Sequence, residues 1–335
     1  MNSLRISSCV LTYNGKDRVI PTLESLKLQT YPYKDLVIAD DASTDCGCTV
    51  SIVEEWLKHN SEHFTNVKFI KNPHNLGIVA NIKNAVSYTE GEIIFLLGQG
   101  DMCYGPDTFE LIAKSIGKEL SSNIEVPQIW IGYYRSYSLT PRWHTVDSIM
   151  SLPFQINKLK DRNTALKALI RGNFIGAPSL VYTKQLFLNY PPIPEEIRDC
   201  EDFPLLLYHI SNNIKFGKLD FFVRWYEAGV GISYNQTEVY KQSIMKMNRF
   251  IINSLKNNKE LINEIKKYKY THKVIYRIKK MPFKSKLKAI ALNFCHLKFI
   301  IPQRICNFVL RITYIPVFTH ITKKKSGKCF MNIFY

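Results

Sequence analysis

The first hundred residues alternate short apolar runs with longer stretches in which apolar residues recur at helical spacing. The runs rich in β-branched residues predict strands at 6–13, 35–41, 67–72 and 92–98. The intervening stretches predict helices at 17–30, near 47–59 and at 77–88. Such an alternation is typical of β-α-β units. We therefore expect an α/β fold with a largely parallel, Rossmann-like sheet flanked by helices, and with all four strands buried on both faces.

The pattern is less regular after residue 105. Helices are predicted at 105–116, 163–174 and 200–210, and strands at 128–139 and 178–183. Gly172 is expected to end the second of these helices, and Pro204 falls in the first turn of the third, where proline is tolerated. Residues 221–233 are interpreted as a loop.

Three polar clusters follow three of the predicted strands. They are Thr-Tyr-Asn at 12–14, Asp-Asp-Ala-Ser-Thr-Asp at 40–45 and Gly-Gln-Gly-Asp at 98–101. Ligands of open α/β sheets bind beyond the carboxyl ends of the strands, so the clusters predict one binding site. The carboxylates of Asp40 and Asp41 fit the donors of a nucleotide, but the segment equally fits a turn that caps the next helix. Spacing alone leaves both interpretations open.

The net charge of +17 is concentrated at the end of the chain. Residues 1–240 carry 23 basic and 26 acidic side chains, whereas residues 241–335 carry 22 and 2. No apolar run reaches the roughly 18 uncharged residues that a membrane span requires. The N-terminus does not read as a signal peptide, so the eight scattered cysteines are expected to be reduced thiols of a cytoplasmic protein.

Three segments carry the polar clusters and the predicted start of a helix in a fixed order. They read CVLTYNGKDRVIPTLESLKLQTYPYKDLVIADDASTD, NPHNLGIVANIKNAVSYTEGEIIFLLGQGD and RDCEDFPLLLYHI. In this order they resemble the family 2 glycosyltransferases, in particular the bacterial enzymes that assemble O-antigen, capsule and related surface polysaccharides. The resemblance implies a GT-A fold, with a nucleotide-sugar-binding half at 1–116, an acceptor-binding half at 117–240 and a basic helical extension at 241–335.

The resemblance also implies inverting transfer of a sugar from a nucleotide diphosphate donor. The positions that match the nucleotide-sugar-binding motifs are Thr12, Tyr13, Asn14, Asp40, Asp41, Asn81, Gln99 and Gly100. Asp101 matches the contact to one Mg²⁺ or Mn²⁺ ion, and Asp202 matches the catalytic base, with Glu201 as its neighbour. A carboxylate base suits a reaction in which the acceptor hydroxyl loses a proton. The competing interpretation of Asp202 is an acid favoured by the helix dipole, and His209 is interpreted as structural.

The chain departs from the family pattern in two places. Relatives have D-x-D-D or a similar run at 98–101, where this chain keeps only the last acid. One carboxylate can suffice when phosphates and water complete the coordination of the ion, and Gln99 can replace lost polar contacts. At 221–233 relatives often show Tyr-Arg-x-His, which is missing here. Arg224 is interpreted as a surface arginine, with a diphosphate contact as the alternative.

The basic segment 284–318 mixes bulky apolar residues with lysine and arginine, a composition that favours anionic membrane surfaces. Acceptors of this enzyme class are commonly lipid-linked sugars. We therefore expect peripheral attachment at the inner face of the cell membrane, and the alternative is a basic helical cover on the catalytic domain.

Two rival functions remain at this stage. A sugar-nucleotidyltransferase would carry a better phosphate-binding loop than LTYNGKDRV. A nucleic-acid-binding protein fits poorly because the basic residues lie among aliphatic ones, so no nucleic-acid partner is expected. The identity of both sugars, the linkage and the oligomeric state are not determined by the sequence.

Overall fold

The computed structural model describes residues 4–121, 126–138, 144–147, 151–172, 174–189, 193–232, 237–267, 280, 282, 285 and 308–330. Its strands are β1 Ile6–Thr12, β2 Lys34–Asp40, β3 Val67–Lys71, β4 Ile93–Gly98, β5 Met102–Cys103, β6 Ile129–Ser138, β7 His144–Asp147, β8 Leu180–Thr183 and β9 Phe216–Glu227. Its helices are α1 Val19–Lys27, α2 Cys48–Asn60, α3 Ile78–Ser87, α4 Thr108–Leu120, α5 Pro153–Ile156, α6 Arg162–Arg171, α7 Lys184–Asn189, α8 Asp202–Ser211, α9 Glu238–Ser254 and α10 Tyr314–Lys325.

The strands form one sheet with a parallel part and a mixed part. Its order is β3-β2-β1-β4-β8-β6-β9-β5, and β7 pairs with β6. The first four strands in this order run parallel. β8 is antiparallel to both β4 and β6, while β9 is parallel to β6 and antiparallel to β5. The connections diverge on either side of β1, which is where a crevice opens in such sheets.

Helices cover both faces of the sheet. Successive strand residues point to opposite faces, so Val10 packs with α1, α2 and α4, whereas Cys9 packs with α3, α6 and α8. Both residues are fully buried. The apolar runs of the central strands arise from this burial on two faces.

Most predicted elements are confirmed, but two expectations are wrong. β3 lies at the edge of the sheet, and most of its residues are half-buried or exposed, so it is not buried on both faces. Residues 216–227 form a twelve-residue strand, and only the end of the predicted loop at 221–233 lies beyond it. β9 lies between β6 and β5 and is largely buried there. This position in the sheet explains the bulky apolar residues of the segment.

The end of the chain returns to the sheet. α10 packs against β9, where Ser326 Oγ accepts a hydrogen bond from the Phe222 N–H at 2.8 Å. The N–H of the fully buried Phe330 donates to the Tyr104 carbonyl at 3.0 Å. This part of the basic extension is thus a cover on the sheet. Most of the predicted membrane-facing segment 284–318 lies outside the residues that the structure describes.

Candidate active site

The three predicted polar clusters meet at one edge of the sheet. In the register of the strands Thr12 is paired with Asp40, and Leu11 is paired with Gly98. The carboxyl ends of β1, β2 and β4 are therefore level, and the loops that follow them line a common cleft. A β-carbon on Gly98 would have no atom within 4 Å, so open space adjoins the end of β4.

Gln99 joins the ends of β1 and β4. Its Oε1 accepts hydrogen bonds from Thr12 Oγ1 at 2.6 Å and from the Tyr13 N–H at 2.9 Å, and its Nε2 donates to the Tyr13 carbonyl at 2.9 Å. The side-chain amide thus pairs with the backbone of Tyr13 as a neighbouring strand would. This contact fixes the loop that carries the exposed Tyr13 side chain.

A second set of contacts joins the loops after β1 and β2. The Asn14 N–H donates to Ser43 Oγ at 2.8 Å, and Asn14 Oδ1 accepts from the Thr44 N–H at 2.7 Å. The carboxylate of Asp40 accepts from the Ser43 N–H at 2.9 Å and from the Ser43 hydroxyl. Asn14 and Asp40 are therefore both anchored at the cleft wall.

Asp41 organises the loop before α3. Its carboxylate accepts hydrogen bonds from the N–H groups of Leu76 at 2.8 Å and Gly77 at 3.0 Å, and from Asn72 Nδ2 at 3.0 Å. Asn81 lies beneath this loop, 2% exposed, where its amide contacts Asn72 and the backbone of β2. Asn81 is thus enclosed by protein contacts.

Within residues 40–45, which we call the acidic turn, the residue that contacts the next helix is Asp45. Asp45 accepts a hydrogen bond from the Thr49 N–H in the first turn of α2 at 3.1 Å. Asp40 and Asp41 instead hold loops at the edge of the sheet. The contact with the next helix thus falls to Asp45, and nucleotide binding by Asp40 and Asp41 stays a prediction.

Asp101 and Glu227 bring two carboxylates together beside Gly100. The Glu227 N–H donates to Asp101 Oδ1 at 3.1 Å, and Asp101 and Glu227 are only 7% and 5% exposed. The Gly100 carbonyl accepts from the hydroxyl of Tyr137, which holds the loop from β6. Burial raises the pKa of Asp101 to about 6, although Arg224 opposes the shift. Burial also raises the pKa of Glu227, against the charge of Arg18.

Arg224 is not a surface residue. It is 4% exposed, its guanidinium lies 4.7 Å from the centre of the Phe95 ring, and Nη1 is 3.7 Å from Asp101 Oδ2. The interpretation as a surface arginine is wrong because β9 is an interior strand. Arg224 is a buried counter-charge for Asp101.

The segment that leads into α8 reaches the same edge of the sheet. The Arg198 carbonyl accepts from the Val79 N–H at 2.8 Å, and Arg198 Nη2 donates to the Asn75 side chain at 2.7 Å. Burial raises the pKa of Asp199, and the negative charge of Asp41 contributes to this shift. Arg198 and Asp199 therefore lie beside the loop that Asp41 holds, just before the acids at the start of α8.

Tyr182 connects Glu201 and Asp202 electrostatically with Arg224. Its pKa is raised by burial and then by the charges of Glu201 and Asp202, while Arg224 lowers it. Burial and the adjacent charge of Asp202 also raise the pKa of Glu201. Glu201 and Asp202 are thus two interacting acids at the start of α8. Asp202 Oδ1 accepts a hydrogen bond from the Phe203 N–H at 2.8 Å.

His209 is structural, as predicted. It lies on α8, fully buried, and its ring is 5.4 Å from that of Phe216. Burial lowers its pKa to about 4, so the ring is neutral at neutral pH.

Comparison with known proteins identifies the family. Residues 7–177, just over half of the chain, match the family model described as "Glycosyl transferase family 2". This chain belongs to glycosyltransferase family 2. It is 25% identical over 243 residues to WfaP of Escherichia coli, a "UDP-Glc:alpha-D-GlcNAc-diphosphoundecaprenol beta-1,3-glucosyltransferase", with 71% of this chain and 84% of WfaP covered. It is also 29% identical to EpsE of Bacillus subtilis over 90 residues, which are 27% of this chain and 31% of EpsE.

Solved structures share the fold of this glycosyltransferase. TarS 1–349 of S. aureus superposes with a TM-score of 0.54 at 17% identity, covering 84% of this chain and 77% of that chain. Its complex with UDP-GlcNAc gives a TM-score of 0.56 at 17% identity, with 86% and 80% covered. The predicted GT-A fold is confirmed.

The acids of this glycosyltransferase fit a divalent cation. Mg²⁺ and Mn²⁺ take hard oxygen ligands, often from one or two carboxylates with phosphate and water as the rest. Asp101 provides one carboxylate, and Glu227 Oε2 is a buried oxygen that accepts no hydrogen bond within the described part of the chain. No cluster of three or more metal-binding side chains occurs among those residues, so phosphate or water would have to complete the coordination.

Sequence reasoning missed Glu227 and Arg18. Arg18 Nη1 lies 3.9 Å from Glu227 Oε2, at the start of α1. The signal for Glu227 was its position after the run FFVRWY, whose aromatic and β-branched residues are typical of a buried strand. Recognising β9 would have placed this carboxylate at a strand end beside the cleft.

Proposed function

We propose that the chain is an inverting glycosyltransferase that moves a sugar from a UDP-sugar to a lipid-linked glycan acceptor during surface polysaccharide assembly. The observation that carries the proposal is the meeting of the ends of β1, β2 and β4 with Arg198 and Asp199, which lead into the acids at the start of α8. The strand ends supply a donor cleft, and the start of α8 supplies acids for the acceptor.

The comparisons support a uridine nucleotide and a diphosphate-linked lipid. TarS has been solved with UDP and with UDP-GlcNAc, and the name of WfaP specifies UDP-Glc and a diphosphoundecaprenol acceptor. Relatives with this fold therefore bind uridine diphosphate sugars, and one relative acts on a lipid-linked sugar. We extend both properties to this chain.

Asp202 acts as the base in the proposed reaction. The acceptor hydroxyl attacks the anomeric carbon as Asp202 takes its proton, and the bond to the nucleotide diphosphate breaks on the opposite side, which inverts the anomeric centre. Burial and the charge of Asp202 raise the pKa of Glu201, and the family motif that Glu201 and Asp202 match places the base at Asp202. A bound divalent cation would neutralise the charge of the leaving diphosphate.

Replacing Asp202 tests this function. In Asp202→Asn we expect transfer from UDP-Glc or UDP-GlcNAc to a polyprenyl-diphosphate sugar to fall about 10²- to 10⁴-fold, with UDP affinity within about twofold of wild type. Transfer is measured by chromatography of labelled lipid product and affinity by calorimetry. The exposed Glu195→Gln is the matched control. Undiminished transfer by Asp202→Asn would refute the base assignment.

The C-terminal helices support attachment to a membrane surface. Phe308, Ile312, Val317 and Ile321 are all more than half exposed, and the basic run Lys323–Lys325 ends α10. Exposed apolar side chains beside lysines suit an anionic interface. None of the helices in the described part of the chain is long and apolar enough to cross a membrane.

Vesicle binding tests the membrane proposal. The full-length protein should co-sediment with anionic vesicles, and Ile312→Asp with Val317→Asp should weaken this several-fold. Leu188→Asp, which changes an equally exposed apolar residue on α7, should leave it unchanged. Equal binding to neutral and anionic vesicles would argue against an electrostatic surface contact, and no binding to either would refute the proposal.

A further inference from the structure

The space beside Gly100 is already occupied by another side chain. A β-carbon on Gly100 would lie 1.9 Å from Glu227 Oε2, and the φ of Gly100 is +94°. The carboxylate of Glu227 therefore fills the volume that a side chain at position 100 would need. The pattern of related enzymes predicts an acid at this position, and this chain carries glycine there.

The carboxylate of Glu227 is incompletely satisfied by the protein. Glu227 is 5% exposed, and its Oε2 accepts no hydrogen bond from residues that the structure describes. Arg18 Nη1 is 3.9 Å from this oxygen, which is beyond hydrogen-bond length. Burying an ionised oxygen without a partner is costly, so its position calls for a ligand.

Glu227, which carries the orphan oxygen, contacts the predicted metal ligand through its backbone. The Glu227 N–H donates to Asp101 Oδ1, which fixes the two residues relative to each other, and Arg224 approaches Asp101 only to 3.7 Å. Neither arginine is within hydrogen-bond distance of the carboxylate beside it. Two hard carboxylates next to the open space at Gly98 suit a divalent cation with phosphate and water as remaining ligands.

We propose that Glu227 replaces in space the carboxylate missing from position 100, and that Glu227 and Asp101 together hold the divalent cation of the donor site. The acid has moved from the loop after β4 to the end of β9. This inference rests on the proposed nucleotide-diphosphate donor.

The test measures UDP binding to full-length protein by calorimetry, in Mn²⁺ and in EDTA, and Mn²⁺ binding in the presence of UDP by electron paramagnetic resonance. In wild type Mn²⁺ should strengthen UDP binding. Glu227→Gln and Asp101→Asn should each weaken Mn²⁺ binding about tenfold or more while UDP affinity in EDTA changes less than about twofold. Asp220→Asn, an exposed acid on the same strand, should behave as wild type.

A second variant, in which the acid is moved back to position 100, tests the proposal if Glu227→Gln is poorly folded. Gly100→Asp with Glu227→Gly returns the acid to position 100 and removes the clash, and it should bind Mn²⁺ more tightly than Glu227→Gly alone. Aspartate tolerates positive φ better than most residues.

The outcomes separate this inference from the proposed function. Retention of the full Mn²⁺ effect in folded Glu227→Gln would overturn the inference and leave the donor site intact. A loss of UDP affinity in EDTA would overturn it too, because Glu227 would then contact the nucleotide directly. Failure of wild type to bind UDP or any UDP-sugar would overturn the proposed function itself.

Discussion

Two groups of acids line the same cleft but differ in how many hydrogen-bond donors the protein provides to their carboxylates. In the acidic turn, residues 40–45, both Asp40 and Asp41 are buried, and each accepts hydrogen bonds from backbone N–H groups. In the acid pair, Asp101 and Glu227, burial is similar, but Glu227 Oε2 accepts no hydrogen bond in the part of the chain that the structure describes.

The difference separates scaffold from ligand-binding groups. A carboxylate whose partners are backbone N–H groups holds loops in place and gains stability from them. A buried carboxylate without such partners costs stability until a ligand binds, and this cost is typical of functional sites. The acidic turn therefore builds the cleft, whereas in the acid pair Glu227 keeps a buried carboxylate oxygen available for a ligand.

Removing one acid from each group gives the largest expected contrast. Asp41→Ala leaves the N–H groups of Leu76 and Gly77 without their acceptor and should destabilise the fold by about 3–5 kcal/mol. Glu227→Gln should change stability by less than about 1 kcal/mol, because it removes a poorly compensated buried charge. Urea denaturation of both variants measures the difference, and equal losses would remove the distinction.

Acid should weaken the fold through His209, which is another buried group that the protein leaves with little compensation. Its pKa of about 4 lies below the ordinary value, so the unfolded chain binds a proton more readily as the pH falls. Stability is then lost between about pH 6.5 and 4, by about 3 kcal/mol in total. The free energy of unfolding of His209→Leu, measured against pH beside wild type, should lack this loss. Parallel curves would contradict the assignment.

Two glycines sharpen the comparison at the acid pair. Gly100→Ala should cost about 2 kcal/mol, because its β-carbon would strike Glu227 and its φ is unfavourable for alanine. Gly98→Ala should cost less than about 0.5 kcal/mol, because its β-carbon would meet open space. Thermal or urea unfolding compares the two. A larger cost at Gly98 would show that the carboxylate of Glu227 does not occupy the space beside Gly100.

A smaller loss than at Asp41 or Gly100 is expected at Gln99, which belongs to the scaffold. Gln99→Ala removes hydrogen bonds to both backbone groups of Tyr13 at a partly solvated site, so a loss of about 1 kcal/mol is expected. Although Gln99 matches a nucleotide-binding position, its amide is engaged with Thr12 and Tyr13, so we expect UDP affinity to fall only slightly. A large loss of UDP affinity without a loss of stability would instead make Gln99 a direct contact.

The parallel part of the fold was predictable from local pattern. β1, β2 and β4 are continuous apolar runs followed by polar residues, and parallel strands bring their carboxyl ends to one edge. The sequence alone therefore determined the order of elements, the cleft and the candidates Asp40, Asp101 and Asp202, the last through its resemblance to a family.

Tertiary structure decided which carboxylates receive hydrogen-bond donors from the protein. Glu227 is 126 residues from Asp101, and no local period links them; pairing of β5 with β9 brings them together. The same pairing buries Arg224, which the sequence had presented as a surface residue. Short-range pattern records which face of an element is apolar, whereas contacts between distant strands determine the partners and solvation of each charge.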